Sequence, residues 1–311
     1  MTKLILDVDT GVDDAVAIAL ATTLDVDLIG ITTVAGNVPV ELATRNTLDV
    51  LAWLGRTDVE VHRGASRPLA AAYQDAMHVH GGNGLGGVSL PRSTVDEVSP
   101  AGPAFIIESA LRYGENLTLV TLGPLTNLAI AINVRPEIVG KIGRVVVMGG
   151  AYLTEGNVTP HAEFNVYVDP DAAAQVLGAA WKDLTLVGLD VTHHTVFARQ
   201  TWERLDPTSG PASALIQAVM HRTFTKRDMT GFYLHDPLAV AVAIDPSLVD
   251  GPRHRAEVMA VGDTRGKTVL GVEHPDSLIA TSVDAGRFVR DLAIALGLPN
   301  VEPGEGFERP E

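Results

Sequence analysis

Short apolar runs typical of β-strands alternate with longer stretches of helical periodicity along most of the chain. The strand-like runs cover residues 4–6, 28–35, 59–62, 117–122, 144–148 and 184–189. The helix-like stretches between and after them cover residues 15–24, 40–54, 103–113, 125–133 and 171–180. This order predicts an α/β fold with an open, mostly parallel, doubly wound sheet, a Rossmann-like core with helices on both faces.

The last third of the chain departs from this alternation. Residues 255–261, 268–271 and 278–282 predict a small antiparallel addition to the sheet, and residues 285–296 predict a closing helix. The chain has 311 residues with 46% hydrophobic content and contains neither a repeat nor a linker-like stretch. We therefore expect a single domain over residues 1–311, with a loose polar tail at about residues 303–311.

Four carboxylates follow the first apolar run within eight positions: Asp7, Asp9, Asp13 and Asp14. Strand alternation directs the first two to the same side, and Gly11 permits the turn into a helix whose N-terminus favours acids. Four like charges at the carboxyl end of a strand repel one another, and a divalent cation bound by oxygen ligands, Ca²⁺ or Mg²⁺, relieves that repulsion. The structural alternative is a solvated acidic turn in which an aspartate caps the helix.

Composition excludes several classes of function. The formal net charge of −15 disfavours nucleic acid and anionic membranes as partners. The absence of cysteine excludes disulfides, thiolate zinc sites and a cysteine nucleophile, and it suits a reducing cytosol. We expect no signal peptide and no membrane span, and hence a cytoplasmic protein.

Further polar residues follow other predicted elements. Asn37 follows the second strand, Asn157, Glu163 and Asn165 lie in a long loop over residues 149–170, and the pair His235 and Asp236 precedes an apolar helix over residues 238–244. A second long loop covers residues 64–100. Loops of this length in a compact domain are usually functional or disordered, and amides with carboxylates are the groups that bind sugar hydroxyls.

Together these residues form an ordered set that resembles a known family. The stretch from Asp7 to Ala15 resembles the aspartate signature of the inosine-uridine preferring nucleoside hydrolases. The resemblance extends over nearly the whole chain, through the segments 32–37, 80–81, 123–127, 147–150, 163–165, 169–170 and 235–237.

The resemblance implies a Ca²⁺ site and a ribose site in one crevice. The Ca²⁺ ligands would be Asp9, Asp14, Asp236 and the backbone carbonyl of Leu122, with water and ribose hydroxyls. The substrate-binding residues would be Asp13, Asn37, His80, Met148, Asn157, Glu163, Phe164 and Asn165. Asp7 would orient the cluster, and His80 and His235 would lie on the base side. We expect His78, His161, His193 and His194 to be loop or capping residues.

The reaction implied is the Ca²⁺-dependent hydrolysis of the N-glycosidic bond of ribonucleosides to free base and ribose. Asp9 would activate a metal-bound water as general base, and His235, or failing that His80, would protonate the leaving base. The resemblance also implies a homodimer or homotetramer. The stretch 222–234 lacks the Gln and Tyr pattern of pyrimidine-preferring members, so the base preference stays open.

Two other functions fit part of the pattern. Asp7 and Asp9 resemble the nucleophile motif of a haloacid-dehalogenase-like Mg²⁺ phosphatase, although Gly11 stands where that motif has Thr or Val. A non-catalytic ribose- or nucleoside-binding protein could use the same pocket. Phosphate release from phosphoesters would identify the phosphatase, and saturable binding without turnover would identify the binding protein.

Overall fold

The computed structural model describes residues 2–95, 98–272 and 277–297, and the predicted tail at 303–311 lies outside them. The strands are β1 Lys3–Val8, β2 Asp27–Thr33, β3 Val61–Arg63, β4 Leu117–Thr121, β5 Arg144–Met148, β6 Leu184–Val187, β7 Val196–Ala198, β8 Gly231–Tyr233, β9 Val249–Asp250, β10 Arg253–Val258, β11 Thr268–Gly271, β12 Ser277–Ile279 and β13 Ser282–Val283.

The helices follow the same numbering in chain order. They are α1 Val12–Thr23, α2 Val40–Trp53, α3 Met77–His80, α4 Gly102–Tyr113, α5 Thr126–Val134, α6 Phe164–Val168, α7 Pro170–Leu177, α8 Leu189–Thr192, α9 Arg199–Glu203, α10 Pro211–Val219, α11 His235–Ile244 and α12 Ala285–Ala295. Three short 3₁₀ segments and one π-helical turn, Arg222–Lys226, complete the regular structure of the described residues. No helix in these ranges combines the length and apolar character needed to cross a membrane.

The central sheet has nine strands in the order β11-β10-β12-β6-β5-β4-β1-β2-β3. All pairs from β12 to β3 are parallel, and β10 is antiparallel to both β11 and β12. This arrangement confirms the predicted mostly parallel α/β fold. The strand order reverses at β1, which has β2 on one side and β4 on the other, and open α/β sheets bind ligands at such a point.

The small antiparallel addition predicted from residues 255–261, 268–271 and 278–282 is present, since β10 is antiparallel to both β11 and β12. One contact was not predicted: β12 also pairs in parallel with β6 through Leu278 and Ile279. It therefore extends the parallel sheet. The apolar pattern could not show this because strand direction depends on the path of the intervening chain.

Both faces of the sheet are covered by helices, as the alternation along β1 requires. Leu4, Leu6 and Val8 belong to the apolar layer that contains α1, α10, α11 and α12. Ile5 faces the opposite layer, which contains α4, α5 and α7. Because both faces of β1 are buried, the sheet is fixed in place beneath the loops at its carboxyl end.

Candidate active site

A cavity of about 490 Å³ lies at the carboxyl ends of the central strands. Eleven predicted site residues line it: Asp13, Asn37, His80, Leu122, Met148, Asn157, Glu163, Phe164, Asn165, His235 and Asp236. Asp9 and Asp14 do not line it and are fully buried. The two long loops, the ends of β4 and β5, and the segment before α11 thus meet around one space.

Three buried carboxylates come together beside the cavity. Asp13, Asp14 and Asp236 each offer one oxygen, and these oxygens lie within 4.8 Å of one another. In the described part of the chain, Asp13 Oδ1 and Asp236 Oδ2 are buried without a hydrogen-bond partner. Buried charged oxygens without partners are costly unless a cation binds them, so this donor set fits a hard divalent cation.

The composition of this group differs from the predicted ligand set. Asp13, expected to contact ribose, belongs to the carboxylate group, whereas Asp9, expected as a metal ligand, does not. Both Asp9 oxygens accept hydrogen bonds from Asn37, Oδ2 from the backbone N–H at 2.6 Å and Oδ1 from Nδ2 at 3.1 Å. Asn37 therefore fixes the orientation of the Asp9 carboxylate.

Two glycines leave room for Asp9. A Cβ atom at Gly36 would lie 2.1 Å from Asp9 Oδ2, and a Cβ atom at Gly123 would lie 3.0 Å from Asp9 Cγ. Any side chain at Gly36 would therefore displace the carboxylate. The two turns, one after β2 and one after β4, form a narrow slot that holds Asp9.

Asp14 and Asp7 fix the strand–turn–helix junction from two sides. Asp14 caps the start of α1, where its Oδ2 accepts the Gly11 N–H at 2.8 Å and its Oδ1 accepts the Asp9 N–H at 3.3 Å. Asp7 Oδ1 accepts from Thr32 Oγ1 at 2.6 Å and Asn127 Nδ2 at 2.7 Å. The junction is therefore buried and is not the solvated acidic turn of the structural alternative, although Asp14, in the first turn of α1, does accept backbone amides at the helix start.

Burial raises the pKa of every carboxyl group in the cluster. It raises the pKa of Asp7 to about 7 and the pKa of Asp13 and Asp14 to about 6. The pKa values of Asp9 and Asp236 lie well above the ordinary range, because burial and the neighbouring carboxylates both disfavour ionisation. Without a cation the cluster therefore retains protons near neutral pH.

Glu163 and Asn165 connect the second long loop to the sheet. Glu163 caps α6 and accepts the N–H groups of Asn165, Val166 and Gly150 at 2.9–3.1 Å. Asn165 Nδ2 donates to the carbonyl oxygens of Leu122 at 2.7 Å and Met148 at 3.2 Å, at the ends of β4 and β5. These contacts hold an acid and an amide rigidly against the cavity.

The two predicted base-side histidines have different partners. His80 Nδ1 accepts the backbone N–H of Val12 at 3.1 Å, and burial lowers the pKa of His80 to about 4. His80 is therefore neutral with its proton on Nε2, because an N–H donor faces Nδ1. His235 Nδ1 instead lies 2.7 Å from the hydroxyl of Thr192, which can donate or accept.

Several cavity residues had no predicted role. His193 and Tyr233 lie near His235, with ring centroids 5.9 and 5.6 Å from its ring, and Arg227 also lines the cavity. The expectation that His78 and His193 are only loop or capping residues was incomplete: His193 caps the end of α8, and both line the cavity. Closeness in sequence to His235 was the one signal for Tyr233.

Comparison with known proteins gives matches along most of the chain. The family model described as "Inosine-uridine preferring nucleoside hydrolase" matches residues 4–290. A Leishmania major protein with that same name is 38% identical over 280 residues, 88% of each chain. "Probable uridine nucleosidase 2" from Arabidopsis thaliana is 37% identical over 275 residues, 86% of this chain and 85% of the relative.

A solved structure shares the fold. The chain titled "Purine-Preferring Ribonucleoside Hydrolase from Gardnerella vaginalis" superposes with a TM-score of 0.87 and 36% sequence identity. The alignment covers 94% of this chain and 98% of the other. The two chains therefore share their fold over nearly their whole length.

Proposed function

Because the chain belongs to the inosine-uridine preferring nucleoside hydrolase family, and is thus a hydrolase acting on N-glycosyl compounds, we propose that it hydrolyses ribonucleosides to base and ribose in a Ca²⁺-dependent reaction. The observation that carries the proposal is the buried group Asp13, Asp14 and Asp236 beside a cavity of about 490 Å³. An oxygen-only donor set of this kind suits Ca²⁺.

The proposed ligands are Asp14, Asp236, Asp9 and the carbonyl of Leu122. That carbonyl accepts a hydrogen bond from Asn165, and a carbonyl oxygen has a second lone pair. When bound, Ca²⁺ would orient the ribose hydroxyls and favour deprotonation of water. Burial raises the pKa values of these carboxyl groups, and a bound cation would lower them again, because a positive charge favours the ionised carboxylates.

The residues of the chain supply the remaining steps. Asp9, held by Asn37, takes a proton from the attacking water. Asp13, Glu163, Asn157 and Asn165 hold the ribose, and the carboxylates favour the positive charge that develops as the glycosidic bond breaks. His235 gives a proton to the leaving base.

The hydrogen bond of His80 Nδ1 favours a role as hydrogen-bond donor over a role as general acid. Since the Val12 N–H occupies Nδ1, His80 offers Nε2–H as a neutral donor and is a poor source of a full proton at neutral pH. We propose that His80 donates a hydrogen bond to substrate and that His235 is the general acid.

A panel of nucleosides tests the proposal. Uridine, cytidine, inosine, adenosine and guanosine are assayed for reducing sugar without phosphate, because similar proteins carry names that point to uridine, to inosine and uridine, and to purines. We expect at least one nucleoside to release ribose. EDTA should abolish this activity and added Ca²⁺ should restore it. The wild type should bind about one Ca²⁺ per chain, and the Asp236→Asn variant should lose that ion. Nucleoside monophosphates should react poorly, since buried carboxylates adjoin the cavity.

Four results would contradict the proposal. No ribose from any nucleoside would remove the reaction, and phosphate release from p-nitrophenyl phosphate would favour the phosphatase. Full activity in EDTA, or full Ca²⁺ content in Asp236→Asn, would remove the metal assignment. The homodimer or homotetramer is a further proposal, which light scattering tests.

A further inference from the structure

The short helix α8 lies between two parts of the cavity that the proposed function uses separately. All four of its residues, Leu189–Thr192, are buried, and it follows β6 after one residue. Asp190 contacts the loop that leads to Glu163, and Thr192 contacts His235. The helix α8, held at the end of β6, thus contacts both the loop on the ribose side of the cavity and the histidine on the base side.

Asp190 holds the start of the loop after β5. Its Oδ2 accepts the Tyr152 N–H at 2.9 Å, and its Oδ1 accepts the Leu153 N–H at 2.6 Å. The neighbouring Leu189 N–H donates to the Gly150 carbonyl at 2.9 Å. Since both carboxylate oxygens bind consecutive backbone amides, Asp190 fixes the direction in which this loop leaves the sheet.

The same stretch of loop is joined to Glu163. The Gly150 N–H donates to Glu163 Oε2 at 3.1 Å, and Asn157 N–H donates to the Ala162 carbonyl at 3.1 Å. The stretch that Asp190 holds is thus hydrogen-bonded to the Glu163 carboxylate through Gly150, and Asn157 is bonded to Ala162, the residue before Glu163. Asp190 acts on ribose binding only through this backbone, because it does not itself line the cavity.

Thr192 holds the ring of His235. Its hydroxyl is fully buried and lies 2.7 Å from Nδ1. The Thr195 hydroxyl donates to the Thr192 carbonyl at 3.0 Å, which anchors the end of α8. Because a hydroxyl can both donate and accept, this contact with Nδ1 fixes the orientation of the His235 ring.

We propose that Asp190 and Thr192 are positioning residues that, through α8, set the spacing between the ribose-binding loop and the proton donor His235. The inference rests on the proposed function, and neither residue touches the substrate. It requires separable effects: Thr192 should govern protonation of the base, and Asp190 should govern binding of the ribose.

Thr192→Val and Thr192→Ser form a matched pair. Valine keeps the shape and removes the hydroxyl, so kcat for a natural nucleoside should fall roughly 10-fold to 100-fold, part of the usual general-acid contribution. Hydrolysis of p-nitrophenyl riboside should change less than about twofold, because its leaving group needs no proton. Thr192→Ser should restore most of the activity on the natural nucleoside.

Asp190→Asn tests the other contact. Asparagine keeps one acceptor oxygen and places an amino group against a backbone N–H, so KM should rise about tenfold for both substrates with a smaller change in kcat. Asp49→Asn is the control, since Asp49 is also buried and accepts a loop amide, that of Ser93, outside the cavity. Its kinetic constants should match the wild type.

Hydrogen exchange provides a second measurement should Asp190→Asn fail to fold. In the wild type the amides of Tyr152 and Leu153 should exchange slowly and at similar rates. Fast exchange at either amide would contradict the proposed hold of Asp190 on this loop. Equal losses in Thr192→Val and Thr192→Ser, or equal losses on both substrates in Thr192→Val, would also overturn the inference. A wild type that hydrolyses no nucleoside would instead overturn the proposed function.

Discussion

At the scale of single residues, the hydrogen-bond partner of one histidine nitrogen determines whether the other nitrogen suits a hydrogen-bond donor or a general acid. His80 and His235 both line the cavity, but a backbone amide faces Nδ1 of the first and a hydroxyl faces Nδ1 of the second. An amide only donates, so it disfavours a proton on both ring nitrogens, whereas a hydroxyl accepts either state. The two histidines therefore suit a hydrogen-bond donor and a general acid, respectively.

We expect His235→Ala and His80→Ala to differ in their dependence on the leaving group. His235→Ala should slow natural nucleosides by roughly 10²–10⁴ and p-nitrophenyl riboside far less, because only the natural base needs a proton to leave. His80→Ala should slow both to a similar degree, since it removes a contact rather than the acid. Steady-state kinetics on the two substrates, with circular dichroism as the folding control, measure this difference. The reverse pattern would exchange the two roles.

At the scale of elements, the loop after β5 depends on one glycine. Gly150 has φ +88°, in the left-handed region, and a Cβ atom there would lie 2.8 Å from ring atoms of Tyr152. The Tyr152 ring is buried, so it has little room to move. Backbone conformation and packing therefore both require glycine at the start of the loop that carries the proposed ribose contacts.

Gly150→Ala should cost more than backbone strain alone. Gly55→Ala is the matched control, because Gly55 has φ +71° and a Cβ atom added there would meet nothing within 4 Å. We expect Gly55→Ala to lose about 1–2 kcal/mol of unfolding free energy and to keep full activity. Gly150→Ala should lose more and also raise KM, since the clash displaces the loop. Urea unfolding and steady-state kinetics compare the two variants. Equal losses of unfolding free energy with an unchanged KM would show that the Tyr152 ring moves aside at little cost.

The sequence predicted most regular elements up to β6 and eleven of the 22 residues that line the cavity, but not the elements between β6 and α11. Most elements from β1 to β6 follow from apolar periodicity, and β5 has the predicted bounds, but α3 and α6 lie in stretches that were predicted as loops. Residues 190–234, which contain β7, α9, α10, β8 and all but the first residue of α8, had no predicted elements. The elements α8, β7 and β8 have only three or four residues each, so tertiary contacts such as those of Asp190 and Thr192 decide their structure.

At the scale of the whole molecule, the site concentrates the negative charge of an acidic protein. The formal net charge is −15, and the buried cluster around Asp9, Asp13, Asp14 and Asp236 places several carboxyl groups in low-dielectric surroundings. Stability should therefore depend on whether protons or a cation occupy that cluster. The metal would serve the fold as well as the reaction.

We expect metal-free protein to lose stability between pH 5 and pH 7. The folded pKa values of Asp13 and Asp14 are about 6, above the ordinary value of 3.8. The folded state therefore binds these protons more tightly than the unfolded state, and the stability that this contributes at low pH is lost as the pH rises through 6. Ca²⁺ should oppose the loss, because it binds the ionised form. Unfolding free energy in EDTA and in Ca²⁺ at both pH values measures this.

Asp236→Asn is the control for that pH dependence. It removes one carboxylate from the group, so the EDTA sample should lose less stability between pH 5 and pH 7 than the wild type. A metal-free wild type that gains stability over this range would contradict the assignment of the raised pKa values to these residues.

The slot that holds Asp9 limits how such a protein can change. Gly36 and Gly123 contribute no functional atom, yet their missing side chains are what admits the carboxylate. A survey of tolerated substitutions would find these two positions as restricted as the acids themselves, while an exposed cavity residue without a proposed ribose contact, such as Val158, could vary with the substrate. New substrate specificities are therefore reached most readily by substituting exposed residues that line the cavity, while the residues that surround Asp9 stay unchanged.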